Sequence, residues 1–316
     1  MSTRLYKPGQ SICAVDGFSS RDFTKHKYLR IYHADYGGGF FVNLLYVING
    51  ILFAQRNNLI PFVYISDPKL PFYDSLQGEN IWEYYFEPIT DINYRTILPE
   101  EVCEIVHKQI ASHRFHEHYR HGIQVYPYKA GIYSKKRFSY DSRWYLEMRK
   151  KANKIINQYI RIKPEILRKI DNFVQQKFYD NHMLGVHVRA TDKLAGIGGR
   201  QILSEEYFPH IDRYLDENPR AKIFCATDSP RELKKMIARY ADSCCYYDAL
   251  RDEHNIFKLS LSSNYRKGED ALIDSLLLSK CNFLIKSSSA VSEFSVYFNL
   301  GLHNKSLDLQ YCGNYG

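Results

Sequence analysis

Residues 183–193 read MLGVHVRATDK, and this stretch decides the fold. The apolar run 183–188 is short enough for a buried strand, and a loop with Gly196, Gly198 and Gly199 follows it. Working outward, Ser204 opens a helical pattern to about residue 215, and 222–226 is the next strand. In ATDSP, residues 226–230, Ser229 takes an N-cap, Pro230 the first helical position, and Glu232 the third. Residues 245–247 make a short strand, 270–280 a strongly apolar helix, and 282–286 a further strand. Ser287, Ser288 and Ser289 then lead into a last helix through Glu293 and Phe294. Strands that alternate with helices imply right-handed crossovers and a parallel sheet. Such a sheet binds its ligand outside the carboxyl ends of its strands.

The first half is patterned similarly. Residues 28–33 read as a strand, Gly37, Gly38 and Gly39 as a loop, 40–56 as a helix and 59–65 as a second strand, a βαβ unit. Residues 86–123 show no clear period, whereas 144–159 and 164–178 read as two helices. The expected fold class is α/β, with two Rossmann-like domains facing across a cleft. The boundary is expected near 165, giving domains 1–165 and 166–316, the C-terminal tail being a candidate to return to the first. At 316 residues, two domains of roughly 150 residues are the natural division.

Hydrophobic residues make up 45% and charged residues 25%, which excludes a disordered chain. The longest uncharged run, 36–55, is broken by glycine and asparagine and is a poor membrane span. The opening MSTRLYKPGQ lacks a secretory apolar segment, so a soluble or cytoplasmic location is expected. Seven cysteines without a CxxC read as reduced thiols. The net charge of +8, in part from 135–169, could attract polyanions, but a solvated helix face explains that stretch better and no nucleic-acid partner is expected.

The candidate chemistry sits at strand ends. His187 and Arg189 are two apart on one strand and so share a face. A buried arginine there needs an anion, and a diphosphate can take two parallel hydrogen bonds from guanidinium. Lys193 adds a second cation. The alternative is that Arg189 pairs with Asp192 or Asp274 and braces the loop. Asp270 and Asp274 are four apart on a buried helix, so they need donors. A nucleobase edge could supply them, as could a backbone N–H or the imidazole of His187. Ser287, Ser288 and Ser289 could present backbone N–H groups to phosphate or simply cap the helix. Thr227 and Asp228 lie at another strand end, with capping the competing role for Asp228. Gly37, Gly38 and Gly39 let backbone approach a ligand, but they are not GxGxxG, and residues 196–200 are not a Walker loop. The histidines at 107, 113, 116, 118 and 121 match no common zinc spacing, and no DxD occurs, so no metal and no cofactor are expected. Trp82, Tyr84 and Tyr85 could stack on sugars, though core packing is the commoner use.

HVRATDK at 187–193, FCATDSP at 224–230, and then Asp274 with the serine run resemble the fucosyltransferase superfamily of α1,6-, nodulation and protein O-fucosyltransferases. The resemblance covers about 183–298. It implies a GT-B fold, a nucleotide-diphosphate sugar (typically GDP-fucose), and metal-independent inversion at the anomeric carbon during transfer to a glycan hydroxyl. Arg189 matches the diphosphate-gripping arginine, His187 and Asp274 match guanine readers, and Ser288 or Ser289 a phosphate-binding serine. Two departures stand out. Ala190 occupies the place of a second arginine, and 194–198 lacks the acid that serves as base in the α1,6 enzymes. Asp192 is then the first candidate base and Asp35, across the cleft, the second. The alternatives are the same fold with another donor such as UDP-xylose, or a non-catalytic nucleotide- or polyanion-binding protein.

Overall fold

The computed structural model describes residues 26–32, 39–105, 123, 142–191, 201–253 and 263–309. The chain divides into two compact units, Met1–Lys163 and Pro164–Gly316.

The first unit holds a three-stranded parallel sheet of order β2-β1-β3, from β1 (Tyr28–Ile31), β2 (Ile60–Val63) and β3 (Val102–Ile105). Helix α1 (Phe40–Arg56) joins β1 to β2 and buries Phe41, Leu44, Val47, Ile48 and Ile51, the helical spacing that patterns the sequence. The short helix α2 (Trp82–Tyr85) carries three aromatics that are buried, not displayed. Trp82 donates to the Glu87 carbonyl, and the Tyr84 hydroxyl lies on the carbonyls of Asp74 and Gly78. Trp82 and Tyr85 line, with Phe40 and Phe86, an apolar void of about 30 Å³. The core reading of these aromatics therefore holds. Helix α3 (Ser142–Tyr159) buries Tyr145, Met148, Ala152, Ile155 and Ile156 while Lys150 and Lys154 face solvent. Its basic residues are thus in part a solvated face.

Arg30, in the middle of β1, is almost fully buried. Its guanidinium meets Glu104 of β3 and the Tyr64 carbonyl, and it lies over the rings of Tyr32 and Tyr64.

In the second unit, helix α4 (Pro164–Lys177) leads into β4 (His182–Val188). Then come helix α5 (Ser204–Glu217), β5 (Ala221–Thr227), helix α6 (Pro230–Tyr240) and β6 (Cys244–Cys245). Helix α7 (Tyr265–Ser279), β7 (Phe283–Lys286), helix α8 (Ala290–Phe298) and β8 (Ser306–Asp308) complete it. The five strands are parallel in the order β6-β5-β4-β7-β8. Val186, Cys225 and Ile285 of the central strands pack with Tyr207, Ile211, Leu233 and Met236 from α5 and α6. The Ser229 hydroxyl accepts from the Glu232 N–H at 3.2 Å and caps α6, with Pro230 first in the helix. The Glu232 carboxylate does not return to the cap; fully buried, it accepts from Ser204 N–H and ties α5 to α6. Helix α7 packs on β4 and β5. The approach to β4 is close: a Cβ on Gly185 would sit 3.1 Å from Cys281 Sγ and from Leu278 Cδ2. Among the described residues Cys103, Cys225, Cys244, Cys245 and Cys281 are free thiols. No described helix is long and apolar enough to cross a membrane.

Candidate functional site

Strand order locates the site before any side chain is considered. In the second sheet β4, the first strand in sequence, is flanked by β5 and β7, so successive connections depart in opposite directions from it. Open α/β sheets bind their ligands at such a reversal, outside the carboxyl ends of the strands, here those of β4 and β7. His187 is the register partner of Lys286, and Val188 of Thr227. The residues beyond each pair are therefore Arg189, Ser287 to Ser289, and Asp228, which brings together three segments singled out in the sequence.

Arg189 Nη1 pairs with Asp228 Oδ2 at 2.8 Å, and the arginine side chain is 14% exposed. Asp228 is thus an internal partner of Arg189; Asp192, named as a possible one, lies outside the described residues. Asp228 also accepts from the Ala190 N–H at 2.9 Å and the Thr191 hydroxyl at 2.7 Å. It fastens the start of the loop after β4 to the end of β5. The Gln201 side-chain amide donates to the Ala190 carbonyl and closes the base of the same loop. Thr227 is buried, and its hydroxyl accepts from Ser229 N–H. Five donors radiate from a guanidinium, and one carboxylate engages two at most in a fork, so the pair with Asp228 is compatible with an anionic ligand. His187 is 3% exposed, and its carbonyl accepts from the Tyr207 hydroxyl at 2.8 Å.

On α7 the two aspartates differ. Asp270 Oδ2 accepts from Leu250 N–H at 2.9 Å, and Arg266 lies 3.4 Å away. Asp274 is 8% exposed, and its Oδ1 has no hydrogen-bond partner among the described residues. Burial pushes its carboxyl up to about 8; Arg251 opposes the rise, and Asp270 and Asp228 add to it.

The serine run does not cap by side chain. Ser289 is the N-cap residue of α8, with φ −148° and ψ 145°, yet its hydroxyl makes no capping bond. Ser288 donates to Asp308 Oδ2 at 3.2 Å, and Ser292 donates to the Ser287 carbonyl at 3.1 Å. Behind them Lys286 is buried, with Asp308 at 2.7 Å and Glu293 at 3.3 Å. One ammonium between two carboxylates, with the strand-end serine attached, holds the β7–α8 turn from inside. Sequence reading missed this network, because Asp308 reaches Lys286 only through the pairing of β8 with β7.

Gly39 is the N-cap residue of α1, and its carbonyl accepts from Val42 N–H. Asp35, Gly37, Gly38, Asp192, Lys193 and the five spaced histidines lie outside the described residues. No group of three or more potential metal ligands occurs among the described residues.

A family model of alpha-(1,6)-fucosyltransferase N- and catalytic domains matches residues 151–295. Over that stretch the chain is similar to the alpha-(1,6)-fucosyltransferases. That family is one of glycosyltransferases. The fold of the chain is shared with fucosyltransferase NodZ from Bradyrhizobium, at 18% identity and a TM-score of 0.53 over 92% of this chain and 97% of that one. NodZ alpha-1,6-fucosyltransferase co-crystallized with GDP matches at 18% identity and a TM-score of 0.50, over 88% and 93%. The same enzyme soaked with GDP-fucose gives 17% and 0.50, over 87% and 93%. The α/β architecture with parallel sheets is that of the GT-B fucosyltransferases.

Proposed function

We propose that the chain transfers fucose from GDP-fucose to a hydroxyl of a glycan acceptor, inverting the anomeric carbon and using no metal. The carrying observation is Asp274, a buried carboxyl with an unpartnered oxygen, in the family-matched segment whose strand ends bear His187 and Arg189. Guanine offers N1–H and N2–H donors to such an oxygen. NodZ alpha-1,6-fucosyltransferase was co-crystallized with GDP and soaked with GDP-fucose, which supports the same donor.

In the proposed reaction the bond between the anomeric carbon and the phosphate oxygen breaks, and its electron pair stays on the diphosphate. Arg189, Lys193 and N–H groups at the start of α8 stabilise the added charge. The acceptor oxygen bonds the anomeric carbon from the opposite face, and its proton passes to a carboxylate, Asp192 first and Asp35 second. General-base help is worth on the order of 10²–10⁴-fold, so stabilising the leaving group matters at least as much. Residues 1–165 would supply the acceptor side and 166–316 the donor side.

The rival reading makes Arg189 a structural brace, and its ion pair with Asp228 favours that. A hydrolysis screen across GDP- and UDP-sugars, with and without EDTA, tests the proposal without an acceptor. GDP-fucose should turn over fastest, and EDTA should leave the rate unchanged. A UDP-sugar preference replaces the donor, and strict metal dependence overturns the mechanism.

A further inference from the structure

Arg251 lies in the loop after β6, held at two backbone points. On one side Leu250 N–H donates to Asp270, one helical turn before Asp274. On the other, Asp252 N–H donates at 3.1 Å to the Asp228 carbonyl, at the end of β5. The loop thus places Arg251 between the helix of Asp274 and the strand end of Asp228. Its terminal nitrogens turn back into their own loop: Nη1 donates to the Ala249 carbonyl at 2.8 Å and Nη2 to that of Tyr247 at 2.7 Å. Nε is left buried with no hydrogen-bond partner among the described residues, as is Asp274 Oδ1. The two side chains interact electrostatically, since Arg251 draws the Asp274 carboxyl downward. No ion pair within 4.0 Å joins them among the described residues.

A buried donor and a buried acceptor, each unmet, are uncommon in folded proteins. Leaving both unmade is costly, and neither can move freely, because the loop and the helix are pinned. One group that presents an acceptor beside a donor would satisfy both. A lactam edge, O=C–N–H, has that form, and the O6/N1–H edge of guanine is one.

We propose that Arg251 is a base-reading residue: its Nε–H donates to O6 while Asp274 accepts from N1–H. This rests on the guanine-nucleotide reading above. It adds a donor-bearing side chain from a segment with no motif to mark it.

The test is calorimetric titration of the full chain with GDP, 6-thioguanosine diphosphate and pyrophosphate, in wild type and in Arg251→Met. Sulfur at position six is a weak acceptor, so wild type should bind the thio analogue about tenfold more weakly than GDP. In Arg251→Met, GDP should weaken about tenfold, the two guanine nucleotides should bind alike, and pyrophosphate should stay within twofold of wild type. Should Arg251→Met disturb its loop, the wild-type comparison of GDP with its thio analogue still stands, and equal binding there overturns the proposal. Discrimination that survives in Arg251→Met overturns the assignment of Arg251 alone. Pyrophosphate binding without GDP binding in wild type overturns the guanine reading and this proposal together.

Discussion

Each unit holds an ion-paired arginine on, or just past, the strand that opens its sheet, and the two are placed differently. Arg30 sits mid-strand, locked to Glu104 and the Tyr64 carbonyl and covered by two tyrosine rings. Arg189 sits one residue beyond the end of β4, paired to Asp228 and 14% exposed. Both satisfy the demand that a buried charge be paired. A charge in the middle of a parallel sheet can only meet protein, whereas one at the carboxyl rim can also meet a ligand. Position on the strand, more than burial, separates an arginine that only protein can meet from one that a ligand could also reach.

Replacing each arginine probes that distinction. Arg189→Ala should cut transfer on the order of 10³-fold while the fold survives; wild-type turnover would reduce Arg189 to a brace. Arg30→Met leaves the largely covered Glu104 without its counter-charge and should cost about 3 kcal/mol of stability. It should lower the thermal midpoint without changing GDP affinity, and a loss of affinity at unchanged stability would erase the contrast. Asp274→Asn sharpens the rim side further. The folded carboxyl is raised to about 8, so its contribution to stability is full below about pH 4 and lost as pH climbs through 8. The asparagine variant should therefore overtake wild type in urea denaturation above pH 8, the gap closing near pH 5. Its GDP affinity should still fall about tenfold.

Much of this architecture was legible because local pattern and tertiary packing agree. Helix α1 spans residues 40–56 as read, its apolar spacing matching the face it buries. The cap of α6 was written in Ser229, Pro230 and Glu232, since capping is local chemistry. Strand β3 was not legible: four residues within an aperiodic stretch acquire their meaning only by pairing with β1. Helix α7 begins at Tyr265, earlier than its apolar run suggests, because Lys267 and Glu269 are buried despite their charge. At the site, the segments were visible and their partners were not. Asp228 finds Arg189 through the register of β4 with β5, and nothing in the loop that carries Arg251 marks a lone arginine as special.

Gly185 sets a scale for everything near it. Because its side chain is a hydrogen atom, α7 settles onto β4 with sulfur and methyl groups 3.1 Å from where a carbon would stand. The depth of the Asp274 carboxyl beneath the rim is thereby gauged by the thickness of a strand with nothing on it. One added methyl would act as a shim between strand and helix, shifting Asp274 against the strand ends without altering any candidate site residue itself.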